Sequence, residues 1–271
     1  MDDFKAVMIS NHYANKLVVD DSLYQTFHQN TKHSKKYLLK NMYQSRKLLN
    51  SSNFREATQL PEKYFPLAES FSLKEPTHDV IYQCLNERKS QVTRPIKDIT
   101  LTDQVISDLF WSGYGKNKKN TRVVPSGGAL YPLELYALIL ESTESLSKGL
   151  YHYSPSKHEI QLIRDDEKVF NTSDYIMMDN IKYPSVIFFI TAIFKRNTFK
   201  YDARAYRYTL IESGAMAQNI SLMATKYHLV STYFGGVDDY EVEKILSVDG
   251  KRESLVNCLF ISKEGEWNGK D

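Results

Sequence analysis

Apolar positions along the chain switch between two spacings, and the switch marks the elements. Val186–Ile193 is the longest apolar run, and residues 186–192 read as a buried strand. Leu135–Leu140 and Leu255–Ile261 read as further buried strands, and Val230–Tyr233 as a strand or extended piece. Gly149–Tyr153 and Glu159–Ile163 flank SPSKH and predict a hairpin. Helical spacing appears at Val80, Ile81, Cys84 and Leu85, predicting a helix over 79–88 with Thr77 as a cap. It recurs from Leu101 to Trp111, where Thr102 and Gln104 make no clean capping box and Gly113 is the expected stop. Residues 202–227 give the longest helix, with a small-residue face at Gly214, Ala217, Ser221 and Ala224. That face suits close packing of another helix, or approach of a flat ligand. Residues 239–246 predict a short helix.

Helices interleaved with hairpin-connected strands predict an α+β fold with a mixed, mostly antiparallel sheet, rather than a doubly wound α/β sheet. Residues 1–76 are polar and weakly patterned, with a helix and loop around Tyr24–Tyr37. They read as an extension that contacts a partner or a twin subunit and holds nothing catalytic. Residues 77–271 form the main domain.

Composition narrows the classes. Lys and Arg number 35 against 33 Asp and Glu, a formal charge of +2, which argues against a nucleic-acid-binding tail. Two cysteines, Cys84 and Cys258, make neither a disulfide framework nor a metal quartet. His12, His28 and His33 lack tight metal-ligand spacing. The opening MDDFKAVMISNHYANK lacks the apolar core of a signal peptide, and the run at Val186 falls far short of the ~20 residues that span a bilayer. A cytoplasmic protein without membrane insertion is the expectation. The 19 tyrosines against 2 tryptophans raise the share of rings with one polar end, which suits interfaces and wet pockets.

Four groups of residues carry candidate chemistry. Arg88, Lys89 and Ser90 follow a helix and could grip a phosphate, since a guanidinium offers a two-pronged donor and serine adds a hydroxyl. The same residues suit an exposed linker. Pro125, Ser126, Gly127 and Gly128 in TRVVPSGGALYP lie where neither helix nor central strand can form, and the glycines allow backbone to approach a flat ring. Gly235 and Gly236 form a second pair, which spacing alone cannot distinguish from a turn. Lys200 and Tyr201 stand at the expected start of the long helix, where an N-terminal field favours deprotonated forms. They also suit a solvent-facing lysine beside a packing tyrosine. Gly-x-Gly-x-x-Gly and the Walker P-loop are absent.

PSGGALYP (125–132), GLYHY (149–153), FKYDARAYRYTLIESGAMAQN (199–219) and FGG (234–236) together resemble the FMN-dependent azoline dehydrogenases of microcin-type and streptolysin-type synthetases, within the nitroreductase-like superfamily. The resemblance covers about residue 77 to the end. It implies a homodimer with two FMN sites at the subunit interface. The implied reaction oxidises peptide thiazolines and oxazolines to thiazoles and oxazoles, after an ATP-dependent cyclodehydratase has made the rings in a precursor peptide. By the same resemblance Lys200 and Tyr201 are the catalytic pair. Arg88 and Ser90 contact the FMN phosphate and ribityl chain, Pro125, Ser126, Gly127 and Gly128 border the isoalloxazine, and Gly235 and Gly236 line its other side. Two departures stand out. Val92 occupies the place of a second phosphate arginine, with Arg94 two residues on. Family members also place a cation near the end of the chain for the phosphate, and Lys263 is the nearest candidate for it here. FHQNTK (27–32) is similar to a His-containing segment of the streptolysin-type members that touches partner subunits or the neighbouring protomer. The competing readings are a generic NAD(P)H-dependent nitroreductase and a non-catalytic flavin-bound scaffold.

Overall fold

The computed structural model describes residues 23–40, 63, 65–90, 101–176 and 184–263. Val92 and Arg94 lie outside the described residues. The helices are α1 (Leu23–Thr31), α2 (Val80–Glu87), α3 (Asp103–Tyr114), α4 (Glu167–Phe170), α5 (Lys195–Tyr201), α6 (Ala205–Lys226) and α7 (Asp239–Leu246). The strands are β1 (Leu133–Ile139), β2 (Gly149–Ser154), β3 (Glu159–Arg164), β4 (Val186–Ala192), β5 (Leu229–Tyr233) and β6 (Ser254–Lys263). They form one six-stranded sheet in the order β3-β2-β1-β4-β6-β5. Every neighbouring pair is antiparallel.

The nearly continuous apolar run of β4 follows from its place in the sheet. Val186, Phe188, Ile190 and Ala192 face one core, shared with α3 and α6. Ile187 and Phe189 face the other, shared with α4 and α7. A strand covered on both faces needs apolar residues at nearly every position, so the alternation of a half-exposed strand is missing; the exception, Thr191, is buried with its hydroxyl donating to Glu253 at 2.6 Å.

Two helix ends differ from the sequence expectation. Asp79 rather than Thr77 caps α2, its Oδ1 accepting the Tyr82 N–H at 2.8 Å. Thr102 does cap α3, accepting the Val105 N–H at 3.3 Å. Gly113 does not stop α3. The helix continues to Tyr114, and the Gly115 N–H closes it on the Trp111 carbonyl at 2.7 Å. Gly113 is instead a contact point: a Cβ there would meet Ile220 at 2.9 Å and Leu135 at 3.0 Å. On α6, Ala217, Ser221 and Ala224 are buried as the small-residue face predicts, and helix packing accounts for them.

Residues 23–35 pack on the chain's own body. The Lys32 ammonium donates to both carboxylate oxygens of Glu243 at 2.6 and 2.8 Å and to the Gly250 carbonyl at 2.8 Å, with both partners buried. The His33 N–H donates to Asp239 at 2.7 Å and the Lys35 N–H to Asp238 at 2.6 Å. Part of the polar N-terminal stretch is therefore a strap across α7 and the start of β6. Val80, Ile81 and Leu85 of α2, by contrast, are 67%, 67% and 53% exposed, and Ile211 of the neighbouring α6 is 69% exposed. Among the described residues no helix is long and apolar enough to cross a membrane.

Candidate functional site

The loop ahead of β1 is held from within. The Tyr131 N–H donates to Ser126 Oγ at 3.0 Å. Below it, the Tyr114 hydroxyl donates to Glu212 at 2.9 Å and accepts the Leu133 N–H at 3.3 Å. Burial pushes the Glu212 carboxyl above the ordinary range, against the pull of its hydrogen bonds from Ser126 and Tyr114. Gly128 takes φ +65°, a conformation that costs an L side chain ~1–2 kcal/mol. A Cβ at Gly128 would lie 2.7 Å from Tyr201 Oη and 2.8 Å from Lys200 Nζ, so these two heads stand within about 5.5 Å of each other. Gly127 is looser, with Tyr201 and Tyr208 carbons at 3.6 Å from a Cβ. The rings of Tyr201 and Tyr208 meet edge-on at 5.1 Å.

Lys200 and Tyr201 do not open the long helix. They end α5, and Asp202 breaks the chain with φ +51° before α6 begins at Ala205. The backbone field at this carboxyl end favours a cation, which suits the Lys200 ammonium. Lys200 itself is exposed and Tyr201 half-buried.

A second group forms lower on α6. Arg88 caps the end of α2, with Nη1 3.4 Å from Ser90 Oγ. Its charge reaches Tyr233, where it opposes the upward push of burial on that phenol. Tyr233 leads through Phe234 into Gly235 and Gly236. A Cβ at Gly235 would meet nothing within 4 Å, and at Gly236 it would strike the Phe234 ring at 2.7 Å. The Tyr233 hydroxyl donates to the Gly214 carbonyl at 3.3 Å. Gly127 meets α6 at Tyr208, six residues before Gly214. On a regular helix that is ~9 Å along the axis and about 240° around it. The structure thus joins Ser126, Gly127 and Gly128 with Lys200 and Tyr201, and Arg88 and Ser90 with the approach to Gly235. The two groups occupy different sides of α6.

Pro125 is exposed in the first loop. Lys263 belongs to neither group. Its ammonium pairs with Glu141 at 2.8 Å, and it sits opposite Leu229 at the start of β5, whereas Gly235 follows the end of that strand. Among the described residues no cluster of His, Cys, Asp and Glu could hold a metal ion. Both cysteines are free thiols.

Sequence reasoning missed a third feature. A pocket of about 380 Å³ opens between α1, the start of α6 and the β5–β6 end of the sheet, lined by His28, Tyr206, Leu210, Tyr233, Gly235 and Asn257 among others. Spacing argues against His28 as a metal ligand, and resemblance places it in a segment, 27–32, that touches partner subunits or the neighbouring protomer. The signal for its packing role was the four-residue spacing of Tyr24, His28 and Lys32, which aligns them on one helical face.

The model of the nitroreductase family matches residues 85–262, most of the described body. The chain belongs to this family. It is 32% identical over 150 residues to MJ1384 of Methanocaldococcus jannaschii, a protein named as a nitroreductase, covering 55% of this chain and 75% of that one. It is 32% identical over 152 residues to the microcin B17-processing protein McbC of Escherichia coli, covering 54% of this chain and 55% of the relative. The trifolitoxin-processing protein TfxB of Rhizobium leguminosarum is 26% identical over 155 residues, covering 55% and 42%. The chain thus spans about half the length of the two processing proteins. A chain of the E. coli microcin synthetase McbBCD complex with truncated pro-MccB17 bound shares the fold, with a TM-score of 0.61 and 22% identity over 80% of this chain and 83% of that one.

Proposed function

We propose that this protein is an FMN-dependent azoline dehydrogenase, oxidising thiazolines and oxazolines in a precursor peptide to thiazoles and oxazoles. The observation that carries the reading is the left-handed Gly128, whose missing side chain lets Lys200 and Tyr201 converge on one backbone position. A nitroreductase that accepts only nicotinamide electrons has no need of that pair. The relatives named for processing of microcin B17 and trifolitoxin support a peptide as substrate.

The residues present fit the cofactor. Arg88 and Ser90 offer guanidinium and hydroxyl donors for its phosphate. Gly235 offers open backbone for a flat ring, and Pro125, Ser126, Gly127 and Gly128 offer a second such edge. Lys263, paired with Glu141 at the opposite end of β5 from Gly235, stands apart from these phosphate donors. FMN, when bound, supplies the hydride acceptor. Aromatising one ring removes a hydride and a proton from carbon. The Tyr201 oxygen takes the proton, and the Lys200 ammonium across Gly128 supports the phenolate that does so. Molecular oxygen is the proposed final oxidant.

A homodimer accompanies this reading. The two groups lie on different sides of α6, so one flavin bordered by both draws one group from each protomer. The exposed Val80, Ile81, Leu85 and Ile211 give that contact an apolar surface. An ATP-dependent cyclodehydratase is the proposed partner that supplies the azolines.

The test is mass spectrometry of an azoline-bearing peptide incubated with the protein. Loss of about two mass units per ring is expected, with flavin reduced by the peptide and only slowly by NAD(P)H. Lys200→Ala and Tyr201→Ala should retain flavin and lose azole formation. Rapid bleaching by NAD(P)H with no mass loss would assign the chain to ordinary nitroreductases. Azole formation surviving both substitutions would remove Lys200 and Tyr201 from the chemistry.

A further inference from the structure

The pocket beside α1 contains a hydrogen-bonded chain whose direction is fixed by its far end. Glu243, paired with Lys32, accepts from the Ser254 hydroxyl at 2.5 Å. Because a carboxylate only accepts, the serine proton points at Glu243. Ser254 Oγ can then only accept from His28 Nε2, 2.8 Å away. Burial and the charge of Lys32 drive His28 down to about 4, so the ring is neutral near pH 7 and carries its one proton on Nε2. Its bare Nδ1 faces the Tyr206 hydroxyl at 3.3 Å and accepts from it. Each proton in the series Tyr206, His28, Ser254, Glu243 is therefore committed inward. At the pocket end this leaves the Tyr206 oxygen with lone pairs and no proton to give.

The rest of the pocket favours an uncharged ligand. Lys32 is spent on Glu243, and Asp239 holds the His33 N–H. Leu210, Val256 and the Tyr233 ring supply apolar wall. Asn257 lines the pocket and takes the Cys258 N–H on its side-chain oxygen, so the NH2 is the part of its amide left to donate. An acceptor and a donor set among apolar groups match the N–H and C=O of a peptide backbone. The volume of about 380 Å³ is within the ~300–1,000 Å³ of small-ligand sites.

We propose that this pocket, which adjoins the flavin edge at Gly235, binds backbone of the peptide substrate beside the cofactor, with Tyr206 accepting a substrate amide N–H, and that the α1 strap belongs to the binding site because His28 holds Tyr206 in its acceptor role. The proposal rests on the peptide reading above and adds a recognition residue to it. Tyr206 is a positioning residue for the substrate and takes no part in the hydride or proton transfer.

The test uses the full chain with bound flavin and a synthetic N-acetylated, C-amidated peptide carrying one thiazoline. A matched set replaces each amide flanking the ring in turn by an ester, which removes one N–H. In the wild type one ester position should raise KM roughly 2- to 12-fold, the worth of one hydrogen bond. Tyr206→Phe should raise KM for the all-amide peptide by a similar factor, with kcat and flavin content unchanged, and should abolish the penalty of that one ester. Ser254→Ala, which frees the His28 ring to turn its proton toward Tyr206, should also raise KM and provides the same test if Tyr206→Phe fails to fold. Unchanged KM in the variants, a loss confined to kcat, or an ester penalty that persists without the phenol would overturn the proposal. If the wild type oxidises no azoline, the function reading fails. The pocket is then judged by calorimetric binding of the same peptides, where equal Kd for the amide and every ester overturns it.

Discussion

Gly128→Ala isolates the feature on which the catalytic reading depends, and Gly127→Ala is its internal control. At Gly128 the new methyl would stand 2.7 Å from Tyr201 Oη and 2.8 Å from Lys200 Nζ. Ordinary contact begins near 3.4 Å, so both heads must retreat by 0.6–0.7 Å or more. Both are free ends of side chains, so the retreat itself costs little stability. The backbone strain at φ +65° adds ~1–2 kcal/mol, offset in part by ~0.4–1 kcal/mol from a stiffer unfolded chain. A net loss of about 1 kcal/mol is expected in urea unfolding. The functional loss should be larger, because ~1 Å of misplacement at reacting groups costs on the order of 100-fold in rate. At Gly127 a methyl meets carbons no nearer than 3.6 Å, so that variant should unfold at wild-type urea or slightly above it. The assay pairs urea melts with kcat for azole formation. Wild-type kcat in Gly128→Ala with flavin retained would refute the claim that this position gathers the catalytic pair.

Two further outcomes concern the strap. As pH falls from 6.5 to about 4 the unfolded chain protonates His28 before the folded one does, which removes ~3 kcal/mol of stability. Asp239, raised by burial from 3.8 to about 6, runs the opposite way: the folded state takes up its proton first, and stability rises as pH falls through 6. The two nearly cancel in the wild type, so Asp239→Asn should lose ~2 kcal/mol more than wild type between pH 6.5 and 4.5, measured by urea melts at each pH; parallel profiles would refute this. Lys32→Ala leaves the buried Glu243 carboxylate without its cation and should cost ~3–5 kcal/mol, whereas Lys32→Met with Glu243→Gln should cost much less; equal losses in the two variants would show that the pair is not what anchors the strap.

Local pattern carried far where burial is symmetric or a turn is short. The bounds of β4 and α7 and the pairing of β2 with β3 were legible because a seven-residue strand that is apolar at every position but Thr191, a capped helix with periodic apolar positions, and a four-residue polar connection each admit few alternatives. Motif resemblance, rather than periodicity, pointed to the residues that gather at Gly128. Periodicity misplaced Lys200 and Tyr201 at a helix start, because a left-handed Asp202 splits what hydrophobic spacing shows as one continuous helix.

The sequence by itself determined the α+β class, the strands, the loop that needs glycine and the identity of the residues able to do chemistry. Those properties depend on neighbours a few residues apart, where backbone sterics and side-chain period act directly. The tertiary structure alone decided that the flavin-contact candidates fall into two groups on different sides of α6, that Lys263 pairs with Glu141, and that His28 reaches Ser254 from 226 positions away. Such contacts form only when sheet closure and the strap bring distant segments together. The composition of neither segment records the hydrogen-bond partner it will find.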